Sequence, residues 1–401
     1  MTADELSAFR GRAREWLAAN AGTPVARDAA DYLVEAKRFQ AALHDAGFAG
    51  ITWPVEYGGQ GLGQAEQLAF NDVAKDFTLP VDLFVIGMGM CGPTLVDLGT
   101  DAQKSRHVLP LLRGEEVWCQ LFSEPGAGSD VAGLQTRAVR DGDSWVLNGQ
   151  KVWTTVAQLA DFGAVLVRTN PDVPKHRGLT MFVIDMHAPG VTVRPLRVMT
   201  GAAPFNEVYF SDVRLPADAV IGEVDNGWHA AVTMLGHERV AIGLSAPRKS
   251  NPLAFAALVE TAKRHGQNTD PVVRDQLVEL YLRERSLALF TSRLRQEANA
   301  GRQPGARGSV AKLLAAQLGT YAADVAGLVA GPELVAWEPD DERAAELSTA
   351  VTGAPGLAIA GGTNEIQRNI IGERVLGLPR EPQVDRDVPF RDLKVGTQRD
   401  T

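Results

Sequence analysis

The spacing of apolar positions changes twice along the chain. Leu6, Phe9, Ala13 and Leu17 recur at intervals of three and four, the stripe of an amphipathic helix. Val34, Phe39, Leu43 and Phe48 predict a second helix ending near Gly47, and residues 65–73 a further one. Residues 53–63 are rich in Pro and Gly and read as a connection. Val85-Ile86-Gly87-Met88-Gly89-Met90 sets small and flexible side chains in a helical context. From Trp118 the period falls to two. Trp145-Val146-Leu147 and Lys151-Val152-Trp153 flank Asn148-Gly149, which predicts a hairpin turn there. Residues 163–167, 179–184, 191–193 and 206–210 follow as strands. The helical period returns at Gly227 and runs through 228–244, 273–297, 310–329, 342–350 and 365–375, with breaks at Asn251-Pro252 and across 301–308. The pattern predicts an α+β protein with a helical domain over 1–118, a β domain over 119–225 and a second helical domain over 226–381. The tail, 382–401, is charged and contains Pro; it is expected to be poorly ordered or to lie on a partner subunit.

With 401 residues there is room for two or three domains and a large core. A net charge of −9 argues against a nucleic-acid surface. No apolar run reaches the roughly 18 residues that would predict a membrane span. The opening Met-Thr-Ala-Asp-Glu is acidic, unlike a secretory leader or a mitochondrial presequence. Cys91 and Cys119 form neither a disulfide framework nor a metal spacing, so a reducing cytoplasm is the expected compartment.

Two stretches carry candidate chemistry. Gln120-Leu121-Phe122-Ser123-Glu124-Pro125-Gly126-Ala127-Gly128-Ser129-Asp130 runs from a strand-like start into a glycine turn. Glycines there let backbone N–H groups approach a ligand, and Ser129 adds a hydroxyl donor. Downstream, Trp153 stands beside Thr154 and Thr155. A flat cofactor could use both stretches; an ordinary turn and a core Trp are the alternative. Glu124 and Asp130 read mainly as carboxylates that cap the loop. In the second helical half, Trp228, Ala231, Leu235, Glu238 and Ile242 step by three and four, which puts Glu238 on an apolar stripe. A carboxylate there is either paired, with Arg239 or another cation, or held for use as a base. Burial would raise its pKa and suit it to proton abstraction. His237 points elsewhere and reads as structural.

Ser123 to Asp130, followed by Thr136-Arg137-Ala138, resembles the signature of the acyl-CoA dehydrogenase family. Asn148-Gly149-Gln150-Lys151-Val152-Trp153-Thr154-Thr155 and Gly361-Gly362-Thr363-Asn364-Glu365-Ile366-Gln367-Arg368 agree with that family in order and spacing. The resemblance covers nearly the whole chain. It implies an N-terminal helical domain, a middle β-barrel-like domain and a C-terminal four-helix bundle that builds a tetramer, homomeric or heteromeric. It implies FAD as cofactor, an acyl-CoA substrate and an electron-transferring flavoprotein as reoxidant. Carried over by position, Gln120, Leu121, Phe122 and Ser123 would meet the flavin's pyrimidine side. Gly128 belongs to the same loop, and Ser129 would contact a pyrophosphate or the pantetheine arm. Trp153 would cover the ring system, with Thr154 and Thr155 beside it, and Thr363 and Glu365 would contact the diphosphate and ribose region. Met88 and Met90 fall where the family lines its acyl pocket, although helix packing explains them equally well; Arg239 falls beside the substrate.

The departures from the family pattern are specific. Where many members have Arg-x-x-Phe-Gly, this chain has Ala262-Lys263-Arg264-His265-Gly266, so Arg264 could serve only from two residues away. A Gln-x-x-Gly-Gly motif is replaced by Ala326-Gly327-Leu328-Val329-Ala330-Gly331. Where many members place the catalytic Glu, this chain has Gly361, which can offer an N–H but no base. Glu238 occupies the family's second known base position. The resemblance therefore implies FAD-dependent α,β-dehydrogenation of an acyl-CoA thioester with Glu238 as base. The C-terminal motif is also similar to bacterial members acting on sterol-derived thioesters, some of them heteromeric. The alternatives are a heteromer subunit with reduced or no catalysis of its own, and a flavin monooxygenase on the same fold.

Overall fold

A computed structural model describes residues 2–22, 31–244, 251–299, 302, 305–338, 340–382 and 385–393. The chain divides into two compact units, one comprising Met1–Val198, Ala203–Ala246 and Pro382–Thr401, the other Met199–Ala202 and Pro247–Glu381.

The first unit begins with α1 (Ala3–Asn20), α2 (Tyr32–Asp45), α3 (Gln64–Ala74), α4 (Gly92–Leu98) and α5 (Asp101–Leu112). Thr2 and Glu5 cap α1 reciprocally, as Thr100 and Gln103 do for α5. The predicted stripe of α1 is buried: Phe9, Ala13 and Leu17 pack with Phe39, Leu43, Phe48 and Phe70. The flexible run before α4 forms a π-helical turn, Gly87–Cys91. Gly92, at its end, lets Trp53 approach so closely that a Cβ would lie 2.2 Å from the indole.

Eight strands then form one sheet: β1 (Trp118–Leu121), β2 (Arg137–Asp141), β3 (Ser144–Thr155), β4 (Phe162–Arg168), β5 (Leu179–Asp185), β6 (Val191–Leu196), β7 (Phe205–Pro216) and β8 (Val220–Ile221). The order is β6-β7-β3-β2-β4-β5-β8, with β1 parallel to β4. Its apolar face centres on Leu121, Leu147, Val165, Phe182 and Val208.

The Asn148-Gly149 hairpin does not form. Both halves of the expected hairpin pair with the same neighbour, β7, and β3 runs straight through with a register shift between Leu147 and Gly149. The Asn148 side chain bonds Asp212, accepting from its N–H at 3.0 Å and donating to its carboxylate at 2.9 Å. Gly149, at φ +148°, passes against Thr136, whose Oγ1 would lie 2.4 Å from an added Cβ. The actual turn lies between Asp141 and Ser144, at Gly142, where β2 doubles back into β3.

The expectation for the tail is also corrected in its described part. Residues 385–393 dock on this chain's own first unit. Phe390 is buried; its N–H donates to Val173 O at 2.9 Å and that of Arg391 to Pro171 O at 3.0 Å. The N-terminal part of α6 (Gly227–Leu244) closes the unit, its Ala230, Ala231 and Met234 packing with Phe122, Met181 and Ile221.

The second unit is helical: α7 (Phe255–Arg264), α8 (Pro271–Asn299), α9 (Gly308–Ala330), α10 (Glu342–Gly353) and α11 (Asn364–Arg374). Its core joins Leu258 and Ala262 of α7, Leu277 and Leu280 of α8, and Val325 and Val329 of α9. The sequence reading passed over α7, although Phe255, Leu258, Val259 and Ala262 form a helical stripe. Among the described residues one helix, Gly305–Leu334, which contains α9, is long and apolar enough by length and composition to cross a membrane, as core helices also can be. The small side chains of α9 raise its hydropathy without making a continuous run of large apolar residues, and within the unit it packs on α7, α8, α10 and α11.

The Gly149 crossing makes a direct test. Gly149→Val would push branched carbons into Thr136 at a backbone angle that disfavours them, and is expected to cost about 2–4 kcal/mol. Denaturant unfolding measures this, and an unchanged midpoint would show that β3 shifts to make room.

Candidate active site

The glycine loop leaves β1 through buried Leu121 and Phe122. Glu124 and Ala127 exchange backbone hydrogen bonds at 3.0 Å, closing a tight turn over Pro125 and Gly126. A Cβ at Gly126 or Gly128 would meet nothing within 4 Å, and Ser129 is exposed, so the outer side of the loop is open. The Glu124 carboxylate turns inward, as a loop cap should. It accepts from the N–H groups of Gln135 at 2.6 Å and Thr136 at 2.9 Å, and from Lys151 Nζ at 2.8 Å. Lys151 Nζ, fully buried, also donates to Phe122 O at 2.9 Å.

Burial pushes the Glu124 carboxyl up, but the charge of Lys151 and the hydrogen bonds from Lys151, Thr136 and Gln135 outweigh it and hold the group below its ordinary 4.5. Burial pulls the Lys151 ammonium down to about 8, against the pull of Glu124. Arg168, at the end of β4, is likewise drawn down by burial, to about 10.

The second motif meets the first here. Val152 N–H donates to Ser123 O at 2.9 Å. Another register shift, between Lys151 and Thr154, then breaks β3. Trp153 lies in the left-handed region at φ +61° and Val156 at φ +56°. For bulky residues this is strained backbone. Its effect is to turn Trp153 out of the sheet: the indole is 55% exposed, held edge-on by Phe205 at 5.7 Å. Thr154 is buried and its Oγ1 has no hydrogen-bond partner, while Thr155 is half-buried. An outward aromatic face, an open glycine turn and an orphaned hydroxyl fit a flat cofactor with a polar edge.

The α6 helix runs beside these elements. Gln120 Nε2 contacts Met234 Sδ at 3.7 Å, and Glu238 lies one turn further along, half-buried. The π-helical turn packs on α6; Met90 is a core residue beside Met234, and Met88 is half-buried with its Sδ 4.0 Å from Gln40 Nε2. His237 pairs with Asp97 at 2.8 Å, in keeping with a structural role. Arg239 follows Glu238 on the helix; its side chain lies outside the described residues.

The remaining candidates belong to the second unit. Arg264 contacts Thr261 Oγ1 at 3.3 Å and Glu333 at 3.5 Å, and His265 also bonds Glu333, at 2.6 Å. Thr363 caps α11, accepting from Ile366 N–H at 3.3 Å. Glu365 is exposed and pairs with Arg368 at 3.0 Å. Gly361 and Gly362 are both left-handed, at φ +64° and +87°, and their carbonyls accept from Gln367 Nε2 at 3.0 and 3.2 Å.

Sequence reasoning missed the Lys151–Arg168 side of the site and the π-helical turn. Lys151 stood in the text as a charge inside an apolar strand, which is a signal that a buried partner must exist.

Residues 3–115, 119–213 and 225–376 match the N-terminal, middle and C-terminal domain models of the acyl-CoA dehydrogenases. The chain belongs to the acyl-CoA dehydrogenase family, and is an oxidoreductase by that membership. It is 40% identical to the acyl-CoA dehydrogenase IpdE1 of Mycobacterium tuberculosis, over 94% of this chain and 99% of that one. Among solved structures it resembles the Tcur3481-Tcur3483 steroid ACAD, with a TM-score of 0.76, 27% identity and coverage of 95% of this chain and 99% of that one. It resembles the ChsE4-ChsE5 complex of Mycobacterium tuberculosis to the same TM-score of 0.76, at 30% identity, covering 95% of this chain and 99% of that one.

Glu124→Gln tests the buried pair. It removes the carboxylate that favours the charged form of Lys151, so the buried lysine must stay charged without a partner or give up its proton, at an expected cost of about 3–5 kcal/mol. The parent's stabilisation by this carboxylate is fully present above pH 4.5 and disappears as pH falls through the lower folded value. Urea midpoints measured on both sides of that pH should therefore converge in acid; parallel curves would mean that the pair does not carry the difference.

Proposed function

We propose that this chain catalyses α,β-dehydrogenation of an acyl-CoA thioester with a bulky, steroid-derived acyl group, using Glu238 as the base. The observation that carries the reading is the position of Glu238: a half-buried carboxylate on α6, one turn beyond the Met234 that contacts Gln120 of the loop strand. The steroid assignment rests on the solved steroid ACAD that the chain resembles.

The Glu238 carboxylate takes the α-proton and becomes the neutral acid. A bound FAD supplies the acceptor for the hydride that leaves Cβ. Gln120 to Ser123 meet the polar edge of the ring system, the outward Trp153 covers its face, and Thr154 and Thr155 bond beside it. Ser129 and the open turn around Gly128 receive a phosphate or the pantetheine arm. Met88 lines the acyl side, and Arg239 lies next to the substrate. Gly361, lacking a side chain, is assigned only its N–H, for the thioester oxygen, whose developing charge needs a donor. Thr363, Glu365 and Arg264 are assigned to the diphosphate and ribose region of the cofactor. The reading takes an electron-transferring flavoprotein as reoxidant and the cytoplasm as location, both by family analogy.

A heteromeric tetramer is favoured over a homotetramer by two facts: the resemblance to the ChsE4-ChsE5 complex, and the loss of the Arg-x-x-Phe-Gly pattern at Ala262 and His265. Expressed alone, the chain is then expected to be colourless, and to become yellow and tetrameric when co-expressed with its partner. A yellow, active homotetramer would support the homomeric alternative.

The base is tested by Glu238→Gln, which keeps size but removes basicity. Anaerobic bleaching of the flavin by steroid CoA thioesters should slow by about 10²–10⁴-fold while FAD stays bound. Bleaching at the parent rate would remove Glu238 from this role.

A further inference from the structure

We propose that the docked C-terminal segment, residues 385–392, positions the glycine loop through Arg168 and Lys175, so that Phe390 is a positioning residue for ligand binding. The inference rests on the reading that residues 126–130 face the cofactor or the CoA moiety.

Among the described residues, the hydrogen bonds that tie residues 128–134 to other elements come from two cations. Lys175 Nζ donates to Asp130 Oδ2 at 2.9 Å, and Arg168 Nη2 donates to Ala132 O at 2.6 Å. The tail holds both cations. The Phe390 ring lies 3.7 Å from the centre of the Arg168 guanidinium, stacked over a buried arginine. Asp385 Oδ2 stands 3.5 Å from Lys175 Nζ, on the same ammonium that holds Asp130. Arg168 Nη1 also donates to Lys175 O at 2.6 Å, so the two cations are fixed together. The connection that carries Lys175 is gripped along its length by Phe390 N–H on Val173 O, Arg391 N–H on Pro171 O, and an Arg391–Asp172 ion pair. The turn itself is closed by Glu124 and seated by buried Ala127; the stretch that follows it, around Asp130 and Ala132, is held from outside by these contacts. A stacked, desolvated guanidinium is well suited to this, because the ring restricts the plane in which its donors point.

The test uses full-length protein with its assembly partner where one is needed. Hydrogen exchange is followed over residues 126–134, without and with FAD, alongside an FAD titration. Phe390→Ala should raise exchange in that loop by about tenfold, as expected for loss of a buried cation–π contact, and weaken FAD or CoA-thioester binding by a similar factor. Exchange in β5 should stay at the parent rate. Phe390→Tyr, which keeps the ring, should restore both. Asp385→Asn, at a partly exposed site, tests the Lys175 arm should Phe390→Ala fail to fold, and should loosen the loop in the same direction. Parent-like loop exchange in folded Phe390→Ala, or in Asp385→Asn if that is the variant available, overturns the proposal even if FAD binds normally. Loop loosening in an assembly whose parent takes up no FAD even with its partner present supports the strap and rejects the cofactor reading instead.

Discussion

The buried pair between Lys151 and Glu124 is the constraint on which the site depends. A lysine with no solvent exposure inside a β-strand is costly unless its charge is matched. Glu124 matches it and, with its remaining acceptor capacity, fixes the N–H groups of Gln135 and Thr136 at the entrance to β2. One carboxylate therefore sets the distance between three segments: the end of β1, the start of β2 and the middle of β3. The pair is not a large source of net stability, since an apolar replacement of equal shape often serves as well. Its contribution is register. Slipping β3 by a residue would turn Lys151 to the other face and strand both charges.

The same anchor explains why strain is tolerated two residues on. Val152 is held by Ser123 on one side, and Thr154 and Thr155 resume pairing with β7 on the other. Trp153 between them has a fixed span to cross and does so through a left-handed kink. The open glycine turn and the outward indole are thus products of one local arrangement.

Much of this was legible in the sequence and some was not, for physical reasons. The helix–sheet–helix order followed from the changes of period at Trp118 and Gly227, and the stripe of α1 from four apolar residues. Local periodicity works where one face is buried. It fails at Asn148-Gly149, because a turn signal describes what the backbone can do, whereas pairing of both halves with β7 decided what it did. The tail failed for a related reason. Its charged, Pro-containing composition suggested disorder, but in its described part Phe390 on a buried arginine, with the backbone bonds of Phe390 and Arg391, docks it, and Arg168 lies more than 200 residues away in sequence. Lys151 was visible and passed over. The π-helical turn at Gly87–Cys91 has no short-range signature beyond its alternating glycines.

The paired left-handed glycines at 361 and 362 bear on how this lineage can change. A left-handed backbone costs an ordinary residue roughly 1–2 kcal/mol. Against a total stability of about 5–15 kcal/mol, that is a real handicap for any mutant that gains a carboxylate at Gly361 in one step. Any side chain at Gly361 would first require the turn before α11 to relax into a right-handed form. A carboxylate there is then reached across a conformational barrier as well as a coding one, and variants of this chain should tend to keep the glycine.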